Sequence, residues 1–132
     1  MAGKNHAIHN EKACDFLLSS GEFNDWVITT AFYSALHYVC NELFPLEHQN
    51  ITFENFERYY RENFNNTGKT QSKHSVIISL VSAALPSCNM FYRSLYDQCM
   101  TARYSNYVVS DKLALKAKRD LDNLKLHLRK IK

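Results

Sequence analysis

From Asn24 to Phe44 the chain reads NDWVITTAFYSALHYVCNELF, with apolar side chains around most of a helical circumference. A helix that is apolar on nearly all sides has to be buried, so this segment predicts the central helix of a bundle. Asn24 suits the N-cap, Asp25 complements the helix dipole, Phe23 is placed to staple onto Ile28, and Pro45 ends the run. Upstream, a helix is predicted from about Asn5 to Ser19, burying Ala13, Cys14, Phe16 and Leu17. Ser19-Ser20-Gly21 then stops it, because glycine accepts the left-handed conformation of a helix end.

Downstream, residues 45–52 read as a connection and Thr52 as the cap of a short helix. On that helix Phe53, Phe56, Tyr60 and Phe64 share a face, while Glu54–Arg58 and Glu57–Arg61 form i,i+4 pairs outside. Residues 65–69, NNTGK, read as a loop tip. A fourth helix carries Ile77, Leu80, Val81 and Ala84 as far as Pro86, and a fifth runs from near Ser87 through Phe91, Leu95, Cys99 and Ala102 to about Tyr104. Ser110 caps the last helix, where Ala114, Ala117, Leu121, Leu124, Leu128 and Ile131 recur at alternating spacings of three and four. That seam is too short for a free coiled coil and is expected to pack on its own bundle. The pattern predicts one all-α domain over residues 1–132 with no sheet. Its architecture is expected to be an antiparallel up-and-down helical bundle of four main helices plus a short extra one.

Composition narrows the classes. Three glycines and two prolines in 132 residues leave few tight turns for a β-sandwich or barrel. The first residues lack the apolar stretch of a signal peptide, and no run approaches the ~18 apolar residues of a membrane span. The expectation is a cytoplasmic protein with no membrane partner, in which the N-x-T triplets at Asn50 and Asn65 carry no weight. Cys14, Cys40, Cys88 and Cys99 lie far apart without a CxxC pair, so they read as reduced, small apolar residues. Charge is uneven. Residues 1–57 hold two lysines against eight acids, and residues 112–132 hold eight Lys or Arg against two acids. A basic tail of this kind is either a solvated face or an attraction for nucleic acid or an acidic partner.

Most familiar chemistries are missing from the text of the chain. Gly68-Lys69 lacks the upstream glycine and strand of a phosphate loop, and no GxSxG, HExxH or paired Cys/His zinc spacing occurs. His6 and His9 read as part of a frayed end, so neither a metal nor a cofactor is expected. The informative stripe is Thr30, Tyr33, His37 and Asn41, aligned on one side of the otherwise apolar central helix. Such a stripe either buries a satisfied network or opens into a cleft. His74 at the start of the fourth helix and Arg103-Tyr104 at the end of the fifth are the companions expected around it. A histidine titrating near neutrality beside a permanently charged arginine suits a nucleotide phosphate or a phosphodiester.

The segment AIHNEKACDFLLSSGEFNDWVITTAFYSALHYVCNELF resembles the opening of small prokaryotic HEPN-type proteins, in which a helix and short loop lead into a "W…FY.AlH" helix. SKHSVIISLV and YRSLYDQCMTARY are similar to that family's later "H" helix and "Y..L…aRY" stretch, in the same order, so the likeness spans about Asn5 to Leu126. The resemblance implies a helical bundle that often dimerises and serves RNA cleavage, nucleotide binding, or stress and defence systems. Active members carry an arginine and a histidine with four to six residues between them. Arg103 stands at the matching place, but positions 108, 109 and 110 hold Val, Val and Ser. None of these relays a proton near neutral pH, and Tyr104 and Tyr107, with an ordinary pKa of roughly 10, are poor bases there.

The expected function is therefore binding of RNA, a nucleotide or a partner protein, with Arg103 on phosphate and Tyr33, His37, His74 and Tyr104 shaping the pocket. No catalytic residue is assigned. One alternative is a metal-independent ribonuclease with a rearranged site, His37 or His74 acting as base and Arg103 holding the phosphate charge. Another is an antitoxin-like or scaffold module. The resemblance and an aromatic load of eight Phe, eight Tyr and one Trp together predict a homodimer.

Overall fold

Phe32, wholly buried at the middle of the second helix, has the rings of Tyr33, His74, Tyr92 and Tyr96 around it at centroid distances of 5.2–5.8 Å. It sits at the centre of a computed structural model that describes residues 3–65 and 71–131. In chain order the helices are α1 (Gly3–Ser20), α2 (Asn24–Leu43), α3 (Phe56–Tyr60), α4 (Lys73–Ala84), α5 (Asn89–Tyr104) and α6 (Asp111–Ile131). A π-helical turn, Arg61–Asn65, extends α3, and a 3-10 turn, Pro86–Cys88, introduces α5. The chain bends by 117° between α4 and the segment that begins at Pro86.

α2 is the axis, as its apolar circumference predicts. Ten of its twenty residues are buried, and it packs on α1, α4, α5 and α6. α1 is held to it by two bonds that need small side chains at the contact. Ser34 Oγ, wholly buried, donates to the Ala7 carbonyl at 2.8 Å, and the Cys14 thiol donates to the Val27 carbonyl at 3.6 Å. The predicted α6 seam is present: Ala114, Ala117, Leu121, Leu124 and Leu128 are all buried. The Ile131 side chain, like the 66–69 part of the predicted loop tip, lies outside the described residues. All four cysteines are free and buried. Among the described residues no single helix is long and apolar enough to cross a membrane.

The fold is mostly helical, but four expectations need correction. Five longer helices pack around the core rather than four: the break at Pro86 between α4 and α5 stands where the sequence places it, and the four-plus-one architecture is one long helix short. A two-stranded hairpin also exists: β1 (Leu46–His48) pairs antiparallel with β2 (Ile51–Phe53), Glu47 opposite Thr52. Its two-residue turn places both Gln49 (φ 51°) and Asn50 (φ 66°) in the left-handed region that tight hairpins require, and asparagine accepts that region better than most. Thr52 thus lies in a strand, and the short helix is capped by Asn55, whose side chain accepts from the Arg58 amide at 2.9 Å. On that helix Arg58 pairs with Glu62 at 2.6 Å instead of Glu54, and Glu57 pairs with Lys73 at 2.9 Å instead of Arg61.

Two end-of-helix readings also change. Phe16 is 74% exposed, because the inward face of α1 is set by Ala7 and Cys14. Asn24 does not cap α2. Its side-chain amide donates to the Val109 carbonyl at 3.0 Å and to Asp111 Oδ1 at 2.8 Å, tying the α5–α6 connection to the start of α2.

The charge asymmetry of the sequence closes on itself. Lys125 reaches Glu11 at 2.7 Å, and Lys118 reaches Asp15 at 2.9 Å and Asp122 at 3.1 Å. Burial works against charge on Glu11, but hydrogen bonds from Lys125 and Tyr38 outweigh it and hold its pKa below the usual carboxylate value. Lys118 follows the same logic with the sign reversed: burial disfavours its charge, Asp15 and Asp122 more than restore it, and its pKa rises.

Candidate functional site

The stripe predicted on α2 divides when folded. Thr30 turns back on its own helix, its hydroxyl donating to the Trp26 carbonyl at 2.7 Å. Asn41 borders a separate shallow depression with Lys4, Tyr38 and Arg129. Tyr33 and His37 remain, and they serve two neighbouring places.

His37 lines a cleft of about 440 Å³ between α2, the α3 region and α4. Leu36, Cys40, Phe56 and Ile77 make its apolar wall, and His74 faces in from the first turn of α4. Ser72 caps that turn by accepting from the Ser75 amide at 3.1 Å, which fixes where α4 starts and so where His74 stands. Asn55, Glu57 and Lys73 form a polar rim. Lys73 and Glu57 bridge at 2.9 Å, with the ammonium over the Tyr60 ring at 5.8 Å.

Both cleft histidines are held uncharged near neutral pH. Burial lowers the pKa of His37, and the neighbouring His6 lowers it further. Burial also lowers that of His74, with the Arg103 charge adding to it. His74 packs against Tyr96 at 5.4 Å and leaves its Nδ1 buried without a hydrogen-bond partner among the described residues. Cys40, on the wall, has its thiol pushed up to about 12 by burial, so it is a neutral apolar surface and not a nucleophile.

Beside this cleft stands the second cluster. An Arg103 guanidinium nitrogen donates to the Tyr33 hydroxyl at 2.7 Å, and the guanidinium carbon lies 5.3 Å from the Tyr104 ring centroid. Tyr104 itself is exposed. Arg103 is not part of the cleft wall, yet its charge acts on His74, so the two clusters are electrostatically one neighbourhood. Of the five predicted site residues, His37 and His74 converge on the cleft, while Tyr33, Arg103 and Tyr104 form its flank. Sequence reading missed His6. It is no part of a frayed end: α1 includes it, and its ring stacks on His37 at 4.0 Å with planes 16° apart. The signal was the small-residue register of Ala7 and Ser34, which brings the first turn of α1 against α2.

No group of three or more His, Cys, Asp or Glu capable of holding a metal ion occurs among the described residues. No family model matches the chain, and no curated protein or solved structure matches it either.

Proposed function

We propose that this chain is a HEPN-like helical domain that binds a nucleotide or a short stretch of RNA, the base entering the α2–α4 cleft and a phosphate meeting Arg103. The supporting observation is that two uncharged imidazoles from different helices, His37 and His74, line one solvent-reaching cleft of about 440 Å³. That volume lies within the usual range for small-molecule sites, roughly 300–1,000 Å³. An apolar wall with few polar groups suits a flat heterocycle, whose edge the ring nitrogens of neutral histidines can both donate to and accept from. Arg103 makes one hydrogen bond to Tyr33, and a guanidinium has further N–H groups to offer an anion.

Homodimerisation and a place in a stress or defence system belong to this reading through the resemblance of the sequence. The basic α6 helix contributes less attraction than its composition suggests, because Lys118 and Lys125 are engaged with acids of α1.

The test is titration of AMP and of a short oligouridylate into the purified chain at low salt in EDTA, with sedimentation to give the mass. Saturable binding of uncut ligand, weakened by roughly 1–3 kcal/mol in Arg103→Ala, is the expected result. Cleavage that disappears in His37→Ala or His74→Ala would transfer the site to the ribonuclease alternative. Absence of binding at low salt would leave a partner-binding module.

A further inference from the structure

Phe23, Trp26, Tyr107 and Val108 form an exposed apolar surface where the start of α2 meets the connection between α5 and α6. They line a depression of about 470 Å³, and Val109 joins it to a second, mainly apolar one of about 260 Å³ bordered by Ile28, Ala102 and Leu113. Tyr107 and Val108 are 74% and 70% exposed, which is unusual for neighbouring large side chains on a connection that is itself tied down. The ties are Asn24, which donates to the Val109 carbonyl and to Asp111, and Asn106, whose side chain accepts from the Val108 amide at 3.0 Å. A loop fixed in this way presents its side chains without an ordering cost on binding.

The charges around the trough have one sign. Glu22 and Asp25 line the larger depression and Asp97 the smaller, and among the described residues no Lys or Arg lines either. Such a rim repels a phosphate backbone or an anionic membrane and attracts a cationic chain. Aromatic anchors inside a charged rim are also the composition of protein-binding hot spots.

We propose that this trough is a docking surface for a segment of a partner protein that carries apolar side chains flanked by lysine or arginine. It is independent of the α2–α4 cleft, and either assignment stands if the other falls. Trp26, the only tryptophan in the chain, lies in the contact and reports on it.

The experiment is selection of a displayed library of short random peptides on the immobilised full chain, followed by titration of the enriched peptides with Trp26 fluorescence as readout. Enriched sequences are expected to combine aromatic or aliphatic residues with Lys or Arg and to shift Trp26 emission to the blue. The exposed pair change Tyr107→Ser with Val108→Ser should weaken them by about tenfold or more. Glu22→Gln with Asp25→Asn should weaken them by about threefold and reduce the salt dependence. Enrichment of nothing, of acidic peptides, or of peptides that bind the Tyr107/Val108 variant equally well would overturn the proposal. So would a dimer that the same variant dissociates, which would give the face to a second copy, or an RNA whose binding moves Trp26 emission.

Discussion

Arg103 and Tyr33 stand seventy positions apart in the chain and meet at 2.7 Å, guanidinium nitrogen to phenol oxygen. The bond aims the one arginine of the candidate site toward the flank of the cleft and joins the end of α5 to the middle of α2. Tyr33→Phe removes the acceptor but keeps the ring. Because the bond is exposed, we expect a stability change below about 1 kcal/mol, read by urea denaturation. Nucleotide affinity should fall too, but by less than in Arg103→Ala. An unchanged affinity in both variants would separate Arg103 from binding.

Phe32→Ala is the severe test of the core. The ring is wholly buried among four others, so its loss should cost on the order of 3–5 kcal/mol. A cost below about 1 kcal/mol would mean that α2 presents a different face to the core.

Tyr92→Phe should do the opposite. Tyr92 is wholly buried, and its hydroxyl has no hydrogen-bond partner among the described residues. Burial accordingly drives its pKa well above the usual tyrosine value. Deleting an unpaired buried hydroxyl is expected to stabilise the fold by about 1 kcal/mol, visible as a higher urea midpoint at unchanged slope. Destabilisation would show that the hydroxyl has a partner in solution.

Acid should weaken the fold in two steps. His37 and His74 have folded pKa values below their ordinary 6.5, so just below that pH the unfolded chain binds protons that the folded chain refuses. Stability is therefore complete above pH 6.5 and falls as the pH drops toward the folded values. Glu11, lowered from its ordinary 4.5, adds a second loss below that pH, when its bonds to Lys125 and Tyr38 fail. Urea midpoints followed from pH 8 to about 2.5 should show both, and His74→Gln should flatten the upper step while leaving the lower one.

The long elements were legible because one physical rule governs each. α2 needed only its apolar circumference and the stop at Pro45, and α6 only the alternating seam from Ala114 to Leu128. What escaped depended on tertiary partners. Asn24 has the chemistry of a cap but is drawn to Val109 and Asp111, eighty-five and eighty-seven residues away. The hairpin has strands of three residues, too short for alternation to register, and its turn relies on Gln49 and Asn50 instead of glycine. In the site, helical spacing paired Tyr33 with His37, but spacing on one helix says nothing of His6, which arrives from α1.

The ion pairs between α1 and α6 also join the two ends of the chain. Glu11 is largely enclosed, and its pKa is lowered despite that burial because Lys125, Tyr38 and Lys118 face it. Its counter-charges, Lys118 and Lys125, stand more than a hundred positions further along the chain. A chain that stops before α6 lacks both, so α1 and α2 alone leave Glu11 without these partners. The last helix therefore pins the first, and the two ends of the chain hold each other.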